Sequence, residues 1–220
     1  MALTDNLVSY WKLDESSGNA SDSVGSNTAT NNGTATYTAA KINNGIDVNG
    51  SSQYFSFATC PQTGSGSFSI AAWVNGDTIS SNHCIAGFGT GNTLQGVTFD
   101  IRGSKLYADF YASTSVTATT TLSTATWYFV VVTYDGTNLR LYLNTTLDGT
   151  SGSVTASIVD GDGAIGRAFW AAGNYFDGRI DEVGMWSRVI TGAEMTTLYN
   201  GGAGRQYPFS TVNANFLAFM

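Results

Sequence analysis

The apolar residues of this chain occur in short runs separated by turns rich in Gly, Asn, Asp and Ser. This spacing is typical of antiparallel β-sandwiches, in which short strands follow one another through tight turns. Trp73 and Trp127 fall within such runs, and we expect both to anchor the core. The pattern predicts β-strands at residues 7–13, 46–49, 53–58, 67–75, 83–88, 96–101, 105–111, 127–134, 138–143, 162–166 and 175–186.

One helix is predicted near the C-terminus. The segment Thr191-Gly-Ala-Glu194 has the sequence of a capping box. In this motif the threonine hydroxyl accepts a hydrogen bond from the glutamate amide, and the glutamate carboxylate accepts one from the threonine amide. The apolar side of the helix would comprise Met195, Leu198 and Tyr199. Glu194 is therefore expected to be structural.

Four segments carry a resemblance to a known family. They are Leu7–Gly18 (LVSYWKLDESSG), Phe68–Trp73 (FSIAAW), Trp127–Gly136 (WYFVVVTYDG) and Gly178–Asn200 (GRIDEVGMWSRVITGAEMTTLYN). In this order they resemble segments of the laminin-G-like, concanavalin A-like jelly-roll domains. The resemblance spans nearly the whole chain and implies an all-β, two-sheet antiparallel β-sandwich with one short helix near the C-terminus. We expect one domain over residues 1–208, followed by a tail at residues 209–220.

That tail, FSTVNANFLAFM, is apolar and contains no charged residue. One interpretation is a last strand packed on the chain's own sandwich. The other is a docking strand that pairs with an edge of another subunit. A free terminus would normally be more polar, so we favour docking.

The amino-acid composition limits the kinds of molecule that the chain is expected to bind. A chain of 220 residues with 42% apolar residues can bury one substantial core. The net charge of −7 and the lack of a basic cluster argue against nucleic acid and anionic membranes, and no apolar run is long enough for a membrane span. Charged residues make up only 11%, whereas Ser, Thr, Asn and Gly are abundant. Such a hydroxyl- and amide-rich surface is common in secreted and virion proteins.

The sequence does not predict an enzyme. Retaining glycoside hydrolysis needs two carboxylates roughly 5 Å apart, and none of Glu15, Glu182 and Glu194 begins the E-x-D-x-E pattern of the jelly-roll glucanases. His83 is the single histidine, without an accompanying nucleophile motif. Cys60 and Cys84 are equally compatible with a disulfide and with two buried thiols.

Calcium is implied by the resemblance, because laminin-G-like relatives often hold this ion between the opening loop and the Asp of the I-D-E-V strand. Carried over, Asp22 and Asp181 would be the side-chain ligands of a structural Ca²⁺, with the Gly25 carbonyl and Asn27 in support. The opening loop is rich in the oxygen atoms that Ca²⁺ prefers. The alternative is that Asp22 begins an Asx-turn and Asp181 caps a neighbouring loop.

Glycan binding would use exposed aromatic rings stacked on sugar faces, with amides and hydroxyls fixing the orientation. The best candidate is the loop at residues 167–175, and the predicted ligand-binding residues are Arg167, Phe169, Trp170, Asn174 and Tyr175. Second choices on the neighbouring strand pair are Arg102, Tyr107 and Tyr111. Alternatively, Trp170 covers the core or lies in a subunit contact.

Taken together, these features predict a non-catalytic binding or adhesion module. We favour a virion surface protein, a capsid decoration or tail component that binds host or environmental glycans and contacts other virion subunits, or further copies of itself, through its tail. A start at its own Met, the lack of an export signal and the apolar tail favour this setting. The alternative is a secreted or cell-surface lectin domain, and a polysaccharide hydrolase or lyase is the least favoured interpretation.

Overall fold

The computed structural model of the chain describes residues 2–170 and 172–209. In this part of the chain, short strands form two antiparallel sheets that bury a shared core between them. The strands are β1 (Leu7–Trp11), β2 (Thr30–Asn32), β3 (Thr36–Ala39), β4 (Asn44–Asn49), β5 (Tyr54–Phe57), β6 (Phe68–Gly76), β7 (Asn82–Gly89), β8 (Gly96–Arg102), β9 (Lys105–Phe110), β10 (Ser115–Thr117), β11 (Tyr128–Tyr134), β12 (Leu139–Leu143), β13 (Thr146–Thr150), β14 (Gly163–Ile165) and β15 (Asp177–Trp186). The helix α1 spans Gly192–Tyr199 and is followed by a 3-10 turn at Asn200–Gly202.

The first sheet has the order β13-β12-β11-β6-β15-β4-β3, and β1 pairs with β15 beside this path. The second sheet has the order β10-β9-β8-β7-β14-β5-β2. The prediction of an all-β, two-sheet antiparallel sandwich with one short helix near the C-terminus is confirmed.

The core lies between the sheets, where alternate side chains of facing strands meet. Phe68 of the first sheet and Phe88 of the second are fully buried, with ring centroids 5.5 Å apart. A second apolar cluster lies on the other side of the first sheet, under α1, where Trp73 stacks on Tyr199 at 5.7 Å. Trp73 is thus buried as expected, whereas Trp127 is only partly buried against this cluster, with the Arg179 guanidinium 5.7 Å from its ring.

Every predicted strand has a counterpart among the observed strands, and four observed strands were not predicted. These four are β2, β3, β10 and β13, which lie at the ends of the two strand orders in the described part of the chain. Edge strands carry few buried apolar residues, because one side faces solvent and exposed apolar edges promote aggregation. Their sequences, TNN, TYTA, SVT and TLDGT, therefore lack the apolar alternation that marks the inner strands.

The capping box at the start of α1 is confirmed. The Thr191 hydroxyl accepts a hydrogen bond from the Glu194 amide at 3.3 Å, and Glu194 accepts one from the Thr191 amide at 2.7 Å. Glu194 also forms a buried ion pair with Arg188 at 2.7 Å. The capping hydrogen bonds and this ion pair lower the pKa of Glu194 despite its burial. Glu194 is therefore structural.

The end of the described chain packs on the first sheet. The ring of Phe209, the first residue of the predicted tail, lies edge-to-face against Tyr10 at 5.2 Å. Residues 210–220, which make up the rest of the predicted docking strand, lie outside the described residues. Cys60 and Cys84 are both buried free thiols. No helix of the described residues is long and apolar enough to span a membrane.

Candidate functional site

The loop between β14 and β15 lies on the outer face of the second sheet, and Phe169 anchors it there. Phe169 is only 5% exposed. Its ring covers Gly87 of β7 and Gly96 of β8: a Cβ atom would lie 3.1 Å from the ring at Gly87 and 2.4 Å at Gly96. The two glycines therefore leave the space that the ring fills, and Phe169 holds the loop on the sheet.

Trp170, the next residue, turns away from the sheet and remains partly exposed. Its indole ring lies edge-to-face against Tyr111, at the end of β9, with ring centroids 5.0 Å apart. Beside it is a pocket of about 300 Å³. The pocket is lined by Gly89, Thr90, Gly91, Gly161, Asp162, Phe169 and Trp170. Trp170 thus contacts Tyr111 and also lines an open pocket that has both polar and apolar walls.

A polar strip on β8 and β9 continues this surface. Alternate residues of the two strands point outward, and in the antiparallel register Thr98 pairs with Asp109 and Asp100 with Tyr107. Residues that point the other way, such as Phe99, enter the core. We use the name binding face for the outward residues Thr98, Asp100, Arg102, Tyr107, Asp109 and Tyr111, together with Trp170 and the pocket beside it.

Arg102 is held at the centre of this strip by both aspartates. Its Nε and Nη2 atoms donate to Asp100 Oδ2 at 2.9 and 2.5 Å, and Nη2 lies 3.5 Å from Asp109 Oδ2. The guanidinium carbon lies 3.8 Å from the centre of the Tyr107 ring. Two carboxylates and a ring therefore surround one cation, which fixes its position and balances its charge.

The two aspartates differ in their access to solvent. Asp100 is 0% exposed, and burial raises its pKa to about 6 even though Arg102 favours the ionised form. Its Oδ1 atom has no hydrogen-bond partner among the described residues. The side chain of Asp109 is 16% exposed. Asp109 accepts hydrogen bonds from the Thr98 hydroxyl and from the Tyr107 hydroxyl, the latter at 3.3 Å.

The accessibility of the two carboxylates bears on what the binding face can do chemically. Hydrolysis by two carboxylates requires that both act on the same glycosidic bond. Of the two carboxylates beside Arg102, Asp100 is fully enclosed, and Asp109 is the one that a ligand can meet. The partly exposed groups include the rings of Trp170 and Tyr111, the Asp109 carboxylate, which can accept hydrogen bonds, and the side chain of Thr90.

The predicted ligand-binding residues fall into two groups. Phe169 and Trp170 lie toward β8 and β9, whereas Arg167 and Tyr175 lie toward Tyr54 of β5. The Arg167 guanidinium is 3.8 Å from the centre of the Tyr54 ring, and the Tyr54 and Tyr175 rings are 6.1 Å apart. Asn174 contributes its carbonyl, which accepts a hydrogen bond from the Cys84 amide at 2.8 Å.

His83 holds the end of this loop through a hydrogen bond to its backbone. One ring nitrogen lies 2.9 Å from the Ser81 hydroxyl and the other 3.0 Å from the Tyr175 carbonyl. The imidazole is buried, and both of its nitrogens are engaged. His83 therefore positions the chain before β15 and does not face the pocket beside Trp170.

The residues of the predicted calcium site lie in two places. Asp22 closes the opening loop by accepting backbone amides: Tyr10 and Val24 each donate to Oδ1 at 3.0 Å, and Asn27 donates to Oδ2 at 3.1 Å. Asp22 thus forms the Asx-turn that the alternative interpretation describes. Gly25 and Asn27 line the same small pocket as Asp22.

Asp181 lies at a β-bulge of β15, where the register with β6 shifts between Asp181 and Gly184. Its Oδ2 accepts from the Ile42 amide at 2.8 Å, and its Oδ1 has no partner in the described part of the chain. Burial, together with the charge of Glu182, raises the pKa of Asp181 to about 9. Within residues 2–170 and 172–209, no three His, Cys, Asp or Glu side chains are grouped to hold a metal ion. Calcium binding by Asp22 and Asp181 stays a prediction.

Sequence analysis missed the two aspartates of the binding face, although it singled out Arg102, Tyr107 and Tyr111. A usable signal was present: polar residues occupy every second position of β8 and β9, in the patterns T-x-D-x-R and Y-x-D-x-Y. Such alternation assigns these residues to one outward face. The pattern does not predict that the loop between β14 and β15 crosses this face.

Comparisons with known proteins agree with this architecture. A family model described as the concanavalin A-like lectin/glucanases superfamily matches residues 49–196. The chain belongs to this superfamily. No curated protein matches it.

Solved structures of similar fold include several binding domains and enzymes. Domain 4 of AbnA, a GH43 extracellular arabinanase from Geobacillus stearothermophilus, in complex with arabinotriose, is 18% identical with a TM-score of 0.70, covering 91% of this chain and 98% of that domain. The binding domain of Paraclostridial Mosquitocidal Protein 1 is 13% identical with a TM-score of 0.74, covering 91% of this chain and 53% of that one. A Trypanosoma rangeli sialidase is 17% identical with a TM-score of 0.67, covering 92% of this chain and 34% of the sialidase. These similarities show the superfamily fold, which is lectin-like and occurs in binding domains as well as in hydrolases.

Proposed function

We propose that the chain is a non-catalytic carbohydrate-binding module whose ligand lies on the binding face. The observation that carries this proposal is the contact of Trp170 with Tyr111: both rings are partly exposed, Trp170 lines a pocket, and Tyr111 shares the outward face of its strand with the Asp109 carboxylate. Aromatic rings contact the apolar faces of sugars, and a few fixed polar groups bind the hydroxyls. Phe169 and the ion pairs of Arg102 hold these groups in place before a ligand arrives.

The superfamily fold supports the proposal without deciding it, because one fold can serve many functions. The arabinanase domain in complex with arabinotriose is similar over almost its whole length, so this architecture is compatible with an oligosaccharide ligand. The enclosed position of Asp100 argues against the two-carboxylate hydrolysis that other superfamily members perform.

Binding to a panel of immobilised oligosaccharides tests the proposal. The panel contains neutral members (arabinotriose and xylo-, gluco- and galacto-oligosaccharides) and acidic members (oligogalacturonates, sialyllactose and chondroitin sulfate oligosaccharides). We expect at least one to bind, and Trp170→Ala and Tyr111→Ala each to weaken that binding. Trp127→Ala is the matched control, because Trp127 is a partly exposed aromatic residue of the first sheet. A chain that binds no member overturns the binding proposal, and release of reducing sugar overturns the non-catalytic part.

For the setting of this binding we propose the surface of a virus particle, with a secreted or cell-surface lectin as the alternative. The support is compositional: few charged residues and an abundance of hydroxyl and amide side chains. In the virion setting the apolar residues after Pro208 would contact other subunits. Removal of residues 210–220 keeps Phe209 on Tyr10 and should then reduce particle attachment or self-association, measured by co-sedimentation and light scattering. Unchanged attachment and an unchanged molecular mass would contradict the docking role.

A further inference from the structure

The charged side chains around the binding face differ in whether they are free to contact a ligand. The carboxylates are Asp100, Asp109, Asp160 and Asp162, and the cations are Arg102, Lys105 and Arg167. Asp162 is exposed and lines the pocket beside Trp170. Asp160, two residues before it in the chain, accepts a hydrogen bond from the Cys60 amide at 3.1 Å. Which of these charges a sugar would meet determines which sugars the face accepts.

Each of the three cations already has a partner within the described residues. Arg102 is shared between Asp100 and Asp109 and stacks on Tyr107. Arg167 stacks on Tyr54, and its Nε donates to the Ala168 carbonyl at 3.0 Å. Lys105 donates to the Thr119 carbonyl at 2.9 Å. No cation is therefore directed at the space between Trp170 and Asp109.

The carboxylates, in contrast, retain capacity to accept hydrogen bonds. Among residues 2–170 and 172–209, Asp109 Oδ2 has two neighbouring donors, the Tyr107 hydroxyl at 3.3 Å and Arg102 at 3.5 Å, and both distances are long. An ionised carboxylate offers about four acceptor positions. The hydroxyls of a neutral sugar can donate to the free positions. A carboxylate or sulfate on a sugar can only accept, and it would stand beside Asp109 and Asp162 with like charge.

We propose that the binding face selects neutral saccharides and rejects uronic acids, sialic acids and sulfated sugars, with Asp109 as the residue that determines this selectivity. The proposal rests on the carbohydrate-binding function proposed above. Asp109 acts in two ways: it presents a carboxylate to the ligand, and it adds a second negative charge beside Arg102, whose guanidinium Asp100 already pairs. An uncompensated charge at a binding surface costs affinity, so repulsion of the wrong partner contributes to specificity.

The test compares saccharides that differ only in charge. The member of the panel that binds most tightly is measured by calorimetric titration beside a partner of the opposite charge type. A neutral member is oxidised at a primary hydroxyl (C6 of a hexose, C5 of a terminal arabinofuranose) or, for xylo-oligosaccharides, at the reducing end and compared with the matching alditol. An acidic member is neutralised by methyl esterification of its carboxylates and by removal of its sulfates. We expect the neutral form to bind at least roughly tenfold more tightly, the ratio given by about 1.4 kcal/mol of repulsion. Equal or tighter binding of the acidic form overturns the selectivity and leaves the carbohydrate-binding proposal standing. If no saccharide binds, the binding function itself fails, and the inference fails with it.

The variant Asp109→Asn tests the assignment to this residue. It keeps an acceptor oxygen, removes the charge and leaves Arg102 with Asp100 alone, so the ratio between neutral and acidic affinities should fall roughly tenfold, toward equality. Asp5→Asn removes one exposed charge near α1 and should leave the ratio unchanged. If the neutral and acidic forms weaken equally in Asp109→Asn, Asp109 does not determine selectivity. Should that variant lose its cooperative thermal transition, Asp109→Ser, which removes the charge and keeps a hydroxyl oxygen as an acceptor, takes its place with the same expectation.

Discussion

The indole ring of Trp170 meets the ring of Tyr111 edge-to-face, with centroids 5.0 Å apart, and this contact joins the loop before β15 to the end of β9. The two residues are distant in the chain and lie on elements that are not hydrogen-bonded neighbours in the sheet. The loop reaches Tyr111 because Phe169 lies over two glycines of the strands between them. Adjacent aromatic residues therefore have different roles: Phe169 fixes the loop, and Trp170 remains available to a ligand.

Alanine substitution of these two neighbours should separate the roles. In Trp170→Ala the free energy of unfolding should change by no more than roughly 1 kcal/mol, as for a surface change, while saccharide affinity falls. In Phe169→Ala a buried ring is removed, which typically costs about 3–5 kcal/mol. Urea denaturation and calorimetric titration of both variants measure the two effects. A large stability loss in Trp170→Ala would instead place this side chain in the core.

Gly96→Ala should displace the loop through a steric clash. The added Cβ would lie 2.4 Å from the Phe169 ring and 2.8 Å from the Thr90 carbonyl oxygen. Overpacking of this kind typically costs about 1–3 kcal/mol, and we expect a lower melting temperature together with weaker saccharide binding.

A double-mutant cycle identifies the origin of that loss. If the Phe169 ring is responsible, Gly96→Ala should destabilise Phe169→Ala much less than it destabilises the original chain. Strictly additive losses in the two substitutions would show that the clash with the Thr90 carbonyl, and not with the ring, limits the space at Gly96. Gly103→Ala is unsuitable as a control because φ is positive there. Gly152→Ala adds a methyl group in open space at a position without this constraint.

Asp100 should make stability depend on pH. Its pKa is about 6 in the folded chain and about 3.9 in an unfolded one. The folded state therefore holds the proton more tightly, so the stabilising effect is complete below about pH 4 and is lost as pH rises through about 6. Asp100→Asn cannot titrate. The stability of the original chain relative to this variant should thus fall by about 2–3 kcal/mol between pH 4 and pH 7. Denaturant titrations at unit steps of pH measure the difference, and a constant difference would contradict the assignment.

The fold was largely predictable because each inner strand can be recognised from the apolar residues in its own sequence. Phe68 to Trp73 and Phe129 to Val132 are apolar on both faces, and the capping box of Thr191 and Glu194 is a local motif. The edge strands were not predictable in this way. A segment such as Thr146–Thr150 pairs because β12 already lies beside it, and its own residues contain little that distinguishes a strand from a turn.

The candidate site was predictable in part for a related reason. The loop around Trp170 was identified from its composition, since an aromatic residue outside any strand needs a role. The sequence does not reveal which of two adjacent rings faces the sheet, because that depends on Gly87 and Gly96, which are distant in the chain. In the same way, the burial of Asp100 depends in part on the neighbouring strands β7 and β9, which the T-x-D-x-R pattern of its own strand does not reveal.

The last prediction concerns calcium binding. The carboxylates of Asp22 and Asp181 differ in whether their oxygen atoms already have hydrogen-bond partners. Asp22 already uses its oxygens to accept three backbone amides. Asp181 retains a buried Oδ1 without a partner in residues 2–170 and 172–209, which is the kind of atom that a cation could satisfy. If Ca²⁺ binds there, a concentration of 100 times the dissociation constant would stabilise the chain by about 2.7 kcal/mol. Adding Ca²⁺ to the chelator-treated chain should then raise its melting temperature.

Variants assign this stabilisation to its ligands. Asp181→Ala should abolish the response to Ca²⁺, and Asp22→Ala should do so only if the opening loop also supplies a ligand. Asp22→Ala removes the acceptor of three backbone amides, so it should lower the melting temperature with or without the ion. The informative quantity is therefore the difference between the chelated and calcium-containing samples of each variant. An original chain whose melting temperature is the same in both conditions would exclude a structural calcium ion, and the unpartnered Oδ1 of Asp181 would then be satisfied by its own proton or by water.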